Sequence, residues 1–198
     1  MNIQDCIYDE FNKRGGVLKT SELNAIGFSS RKIRKLLEGN IIRKIKYGYY
    51  EIANNTFPDE VIIARIFPQA VIFLESALLH YGYTDRIPQE WQIAVDRDSE
   101  KSQFKLNYPL IKPFYMESKF LEVGQDKIKK EGIPIKIFDR DRTICDVLRY
   151  ENKLEREVFN NAIQRYIKDP NKNVRRLFEY AELFKVKKKV QMYMGVWF

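Results

Sequence analysis

Apolar positions recur every three or four residues at the start of the chain. Ile3, Ile7 and Phe11 stand four apart behind Asn2, which predicts a capped helix running to Gly15-Gly16. A second, short helix is predicted from Thr20 or Ser21 through Leu23 and Ile26 to Gly27. A third runs from Ser29 or Ser30 through Ile33, Leu36 and Leu37 to Gly39-Asn40. The period then shortens, and Ile41 to Ile45 and Tyr49 to Ile52 are predicted strands joined around Gly48.

Ala53 to Phe57 resembles a linker, and Pro58, Asp59 and Glu60 suit the first turn of a helix that ends before Pro68. Beyond it a strand is predicted near Val71, a helix from Glu75 to Tyr81 and a strand from Trp91 to Val95. Further strands are predicted over Phe104 to Leu106, Pro113 to Met116 and Ile133 to Phe138, in a mixed or antiparallel sheet. From Asp141 the pattern is helical, in segments 141–150, 154–168 and 172–194. The expected fold class is α+β: an N-terminal winged helix-turn-helix over residues 1–54, then a larger mixed α/β domain over 58–198 with a C-terminal helical region.

Composition narrows the classes. The longest apolar run, Ala70 to Leu74, is five residues, far short of the roughly 20 that a membrane-spanning helix needs. Asp5, Asp9 and Glu10 interrupt any apolar leader at the amino end, so a cytoplasmic protein is expected, with no membrane partner. Two cysteines, Cys6 and Cys145, lie far apart, and with a single histidine they supply no common zinc ligand set. Neither a metal nor a cofactor is expected.

The formal charge is +8, which favours an anionic partner. Its distribution is more telling. From Ser29 to Tyr50 seven basic residues face one acid, Glu38, and from Pro170 to the end seven face Glu179 and Glu182. At 100° per residue, Ile33, Leu36 and Leu37 form one stripe of the third helix, while Arg31, Lys32, Arg34 and Lys35 all fall at least about 100° from Ile33. Such a helix suits the major groove of double-stranded DNA, where Arg and Lys meet phosphates and guanine acceptors. The candidate DNA-binding residues are Ser30, Arg31, Lys32, Arg34 and Lys35, with Arg43, Lys44, Lys46 and Tyr47 on the wing. Lys187, Lys188 and Lys189 near the carboxyl end are candidate auxiliary contacts.

The remainder offers little chemistry. His80 has no nucleophile motif around it and reads as a core or helix-end residue. Asp96 and Asp98 resemble a magnesium pair, but no phosphate loop precedes them and Arg97 and Lys101 suggest a surface turn. Arg142 and Asp146, four apart, read as a structural salt bridge. No catalytic residue is assigned and no enzyme is expected.

Several short motifs occur in a telling order. They are Gly16-Val17-Leu18-Lys19-Thr20 with Leu23 and Gly27-Phe28-Ser29, then Lys35-Leu36-Leu37-Glu38-Gly39, and Ile45-Lys46-Tyr47-Gly48-Tyr49-Tyr50. Downstream come Ser76-Ala77-Leu78-Leu79-His80-Tyr81-Gly82-Tyr83-Thr84-Asp85 and Arg142-Thr143-Ile144-Cys145-Asp146-Val147-Leu148. In this order the chain resembles the AbiE-type antitoxins of type IV bacterial toxin-antitoxin (abortive infection) systems. The resemblance implies a repressor that autoregulates its operon by binding inverted repeats through the winged domain. It also implies functional opposition to a nucleotidyltransferase-like toxin without a stable complex. The competing expectations are a DNA-guided nuclease or nucleotidyltransferase, and a winged-helix module that contacts protein.

Overall fold

A computed structural model describes residues 3–54 and 57–197. Asn2, expected to cap the first helix, and Asn55 and Thr56 of the expected linker lie outside the described residues, as do the side chains of Ile3 and Cys6. Among the described residues the protein is a mixed α+β chain with ten α-helices and two sheets. None of those helices is long and apolar enough to cross a membrane.

The chain divides into two compact units. The first holds everything up to Gln69, together with Lys101–Ile111 and Ile128–Ile135. It begins with α1 (Ile3–Lys13), β1 (Val17–Lys19), α2 (Thr20–Ala25), α3 (Ser30–Glu38), β2 (Ile42–Lys46) and β3 (Tyr49–Ile52). The strands form an antiparallel sheet in the order β1-β3-β2. Ile7, Phe11, Leu18, Leu23, Phe28, Ile33, Leu36, Ile42 and Ile52 make its core.

Two glycines end α1 with φ of 66° and 75°. At Gly15 a Cβ would stand 2.6 Å from Val61 Cγ1 and 2.9 Å from Ile133 Cγ1, so no larger residue fits that turn. Next comes α4 (Asp59–Ile66), whose Val61, Ile62, Ile63 and Ile66 are all buried. Its Arg65 donates to Val17 O at 3.3 Å and to Glu22 Oε1 at 2.8 Å. These bonds tie α4 to the first unit, whereas the sequence pattern placed it after the linker.

The second unit comprises Ala70–Glu100, Lys112–Lys127 and Lys136 onward. The chain continues through β4 (Val71–Ile72), α5 (Leu74–His80), β5 (Trp91–Asp96), β6 (Ile111–Met116), α6 (Ser118–Leu121), β7 (Gln125–Lys130) and β8 (Ile133–Phe138). Helices α7 (Arg140–Arg149), α8 (Arg156–Lys168), α9 (Val174–Leu183) and α10 (Lys187–Met194) follow, while the end of β7 and the start of β8 are counted with the first unit. The five-stranded sheet has the order β6-β5-β4-β8-β7. It is mixed, because β4 pairs antiparallel with β5 and parallel with β8.

Four expectations need correction. Lys101–Phe104 is a 3₁₀ turn and no strand covers Phe104 to Leu106. The segment 172–194 is two helices, because Lys185 takes φ 59° and the turn buries both Phe184 and Val186. Two strands were missed. The three residues of β1 are too few to show a period, and β7 is an edge strand in which only Gln125 and Ile128 are partly covered, so it lacks an apolar alternation.

Candidate nucleic-acid interface

Helix α3 follows a turn at Gly27, whose φ of 87° suits glycine. Ser29 holds the N-cap position with extended dihedrals, though its side chain makes no capping bond. Ile33 and Leu36 are buried and Leu37 is half-buried, while Ser30, Arg31, Lys32, Arg34 and Lys35 are all exposed. The helix is therefore anchored by one apolar stripe and presents four cations to solvent.

Their internal engagement is slight. Lys32 Nζ donates to Gly27 O at 2.9 Å and lies 5.8 Å from the Phe28 ring. Arg34 pairs with Glu38 at 3.2 Å, and both side chains are mostly exposed. Exposed pairs of this kind contribute about 0.3–0.5 kcal/mol on a helix. For Arg31 and Lys35 no side-chain partner occurs among the described residues.

The β2–β3 ribbon turns through Tyr47 and Gly48, where φ of 77° requires a residue without a Cβ penalty. Thr20 N donates to Gly48 O at 2.9 Å, which pins the ribbon tip to the start of α2. The register slips between Lys44 and Lys46, leaving a bulge at Ile45 beside the tip. Tyr47 is 88% exposed and the Lys44 ammonium stands 5.2 Å from its ring.

Arg43 and Lys46 behave differently from the other candidates. Arg43 lies directly across from Glu51 in the ladder and pairs with its carboxylate, which is buried. A buried carboxylate without a cation is costly, so this arginine is held by the sheet. Lys46 is half-buried with its ammonium 4.6 Å from the Phe67 ring. The structure thus places Ser30, Arg31, Lys32, Arg34 and Lys35 on α3 and Lys44 and Tyr47 on the ribbon, all exposed, and gives Arg43, which is exposed as well, and the half-buried Lys46 partners within their own unit. Lys19, 5.6 Å from the Tyr49 ring, joins the ribbon's cations; with β1 missing from the sequence pattern, no signal pointed to it.

Glu22 closes the other side of α2. Partial burial alone would push its carboxyl up, but the Lys19 N–H bond at 2.7 Å and the Arg65 and Arg14 guanidiniums outweigh this and hold it below the ordinary glutamate range.

The auxiliary candidates belong to the second unit. Lys189 donates to Leu148 O at 2.7 Å and pairs with Glu151 at 2.8 Å, while Lys187 pairs with Glu182 at 3.4 Å. Lys188 is exposed.

The second unit's own polar residues are turned inward. Arg142 and Asp146 are fully buried and bonded at 2.7 Å, and Arg142 also donates to the carbonyls of Phe120 and Val123, both at 2.8 Å. Its guanidinium stacks 3.9 Å from the Phe184 ring and 4.2 Å from that of Phe138. Asp141 accepts from Tyr166, the Asn173 N–H and Arg176, and Asp139 accepts from the Arg142 N–H and Tyr180. Burial pushes the Asp139 carboxyl above its usual range and the Cys145 thiol well above its own. A polar cleft of about 210 Å³ opens over this network, lined by Tyr81, Gln125, Asp126, Asp139, Arg140, Asn171 and Arg176.

His80 sits exposed at the end of α5, 5.0 Å ring to ring from Tyr81. Asp96 accepts from the Asp98 N–H at 2.8 Å in a turn after β5, and Asp98 is exposed. Among the described residues no group of three or more His, Cys, Asp or Glu could hold a metal ion. No protein-family model matches the chain, and no curated protein matches it.

Proposed function

We propose that the first unit is a winged helix-turn-helix that docks on duplex DNA, with α2 and α3 as the helix pair and the β2–β3 ribbon as the wing. Helix α3 enters the major groove, and Lys44 and Tyr47 on the wing grip flanking phosphates or the minor groove. The protein is then a non-enzymatic transcriptional repressor acting in the cytoplasm. By the resemblance of its ordered motifs it is the antitoxin of a type IV system, which autoregulates its operon at inverted repeats and opposes a nucleotidyltransferase-like toxin without a stable complex.

The observation that carries this reading is the exposed cationic face of α3, where Arg31 and Lys35 lie one turn apart with no ion-pair partner among the described residues. Each like-charge pair at that spacing destabilises a free helix by roughly 0.2–0.5 kcal/mol. A polyanion converts the repulsion into attraction, and the release of its condensed counterions drives association.

The test is a gel-shift titration at low salt with duplex DNA taken from upstream of the protein's own coding sequence. A discrete shift that is competed weakly by unrelated duplex supports the reading; no shift at low salt overturns it. The antitoxin role is tested by co-expression with the toxin of the same operon, where restored growth is expected and continued growth arrest counts against it.

A further inference from the structure

We infer that the segment Lys101–Ile111 is a third DNA-contacting element, beside the wing, with Lys105 reaching the sugar-phosphate backbone. The inference rests on the proposed DNA reading and extends its footprint to residues distant in sequence.

Although it follows β5 in the chain, Lys101–Ile111 clusters with the first unit. Three contacts show how it is seated there. The Phe104 ring, nearly buried, packs 5.1 Å from the ring of Phe67. The Lys46 ammonium stands 4.6 Å from that same Phe67 ring. Tyr108 donates to Asp59 at the start of α4.

Lys46 is the last residue of β2, next to Tyr47 at the ribbon tip. Taken together the two ring distances put the Phe104 ring within about 10 Å of the Lys46 ammonium. Phosphates on one strand of B-DNA follow one another at about 3.4 Å of rise, so a duplex gripped by the wing presents further phosphates over that distance.

The chemistry of the segment fits that partner. Lys101 and Lys105 are basic and the segment holds no acid. Lys105 follows Phe104 directly and is exposed, and no side-chain partner for it occurs among the described residues. An apolar anchor followed by a solvated cation fixes the ammonium near a surface without engaging it. The stretch carries no base-reading geometry of its own, so its contribution is to backbone affinity and leaves sequence preference unchanged.

The test is a salt series of fluorescence anisotropy titrations with a labelled duplex from upstream of the coding sequence, using the full chain. Lys105→Ala is expected to make the log–log salt slope less negative by about 0.9 and to weaken binding about eightfold at 0.1 M salt, the loss shrinking toward 1 M. Lys168→Ala, an exposed lysine at the end of α8, is expected to match the parent protein. Equal slopes and affinities for Lys105→Ala and the parent overturn the inference while leaving the DNA reading intact. A parent protein that does not bind duplex at all removes both.

Discussion

Two helices of nearly equal length, α3 and α7, carry arginines at comparable density and put them to opposite uses. In α3 the sequence Ser30–Glu38 offers four cations and one acid, and all four cations end in solvent. In α7 the sequence Arg140–Arg149 alternates Arg140, Arg142 and Arg149 with Asp141 and Asp146, and the helix buries Asp141, Arg142 and Asp146 completely. Burial of a charge is tolerated only where donors and acceptors meet it on every side. Helix α7 has that company in Tyr166, Arg176, the Asn173 N–H and the carbonyls of Phe120 and Val123. In helix α3 internal engagement is limited to the Arg34–Glu38 pair and the Lys32 bond to Gly27 O, and all four cations stay exposed.

The largest effect is expected where the internal network is broken. Arg142→Met leaves the buried Asp146 carboxylate with Arg149 alone, and stability is expected to fall by about 3–5 kcal/mol in urea unfolding. A loss below about 1 kcal/mol would mean that the two helices do not differ in the way described.

The complementary change on α3 reverses the pattern. Arg31→Ala combined with Lys35→Ala is expected to alter stability by no more than about 0.5 kcal/mol, with a small gain from relieved repulsion. Duplex affinity is expected to drop about 60-fold at 0.1 M salt, as for two lost phosphate contacts. Lys187→Ala with Lys188→Ala is expected to cost much less; an equal loss would move the contact surface to α10.

The α3 face was legible because a strong 3.6-residue period with glycine stops needs no tertiary partner to be recognised, and because exposed charge is the default for Arg and Lys. The internal partners of Arg43 and Lys46 were hidden for the converse reason. Their orientation depends on a cross-strand neighbour, Glu51, and on a ring 21 positions further on, Phe67, neither of which a local period reveals. The Arg142–Asp146 pair followed from i,i+4 spacing, whereas the carbonyls that complete it come from residues 19 and 22 positions earlier. Strand β7 was invisible because its faces carry lysines that blunt a sheet edge.

A smaller effect distinguishes the polar clasp on α2. Because the folded Glu22 carboxyl titrates below its unfolded value, its contribution to stability is present above the ordinary glutamate range and is lost as pH falls through the folded value. Glu22→Gln is therefore expected to flatten the acid limb of the stability curve and to change neutral stability by at most about 1 kcal/mol. An unchanged acid limb would mean that Arg65 and Arg14 do not hold this carboxylate in the folded chain.

The most direct measurement is the salt dependence of duplex binding by the intact protein. With about five phosphate contacts from α3 and the wing, the log–log slope of affinity against salt concentration is expected near −4.5. A slope near zero, or no binding at low salt, would contradict the assignment of α3 as a DNA-reading helix.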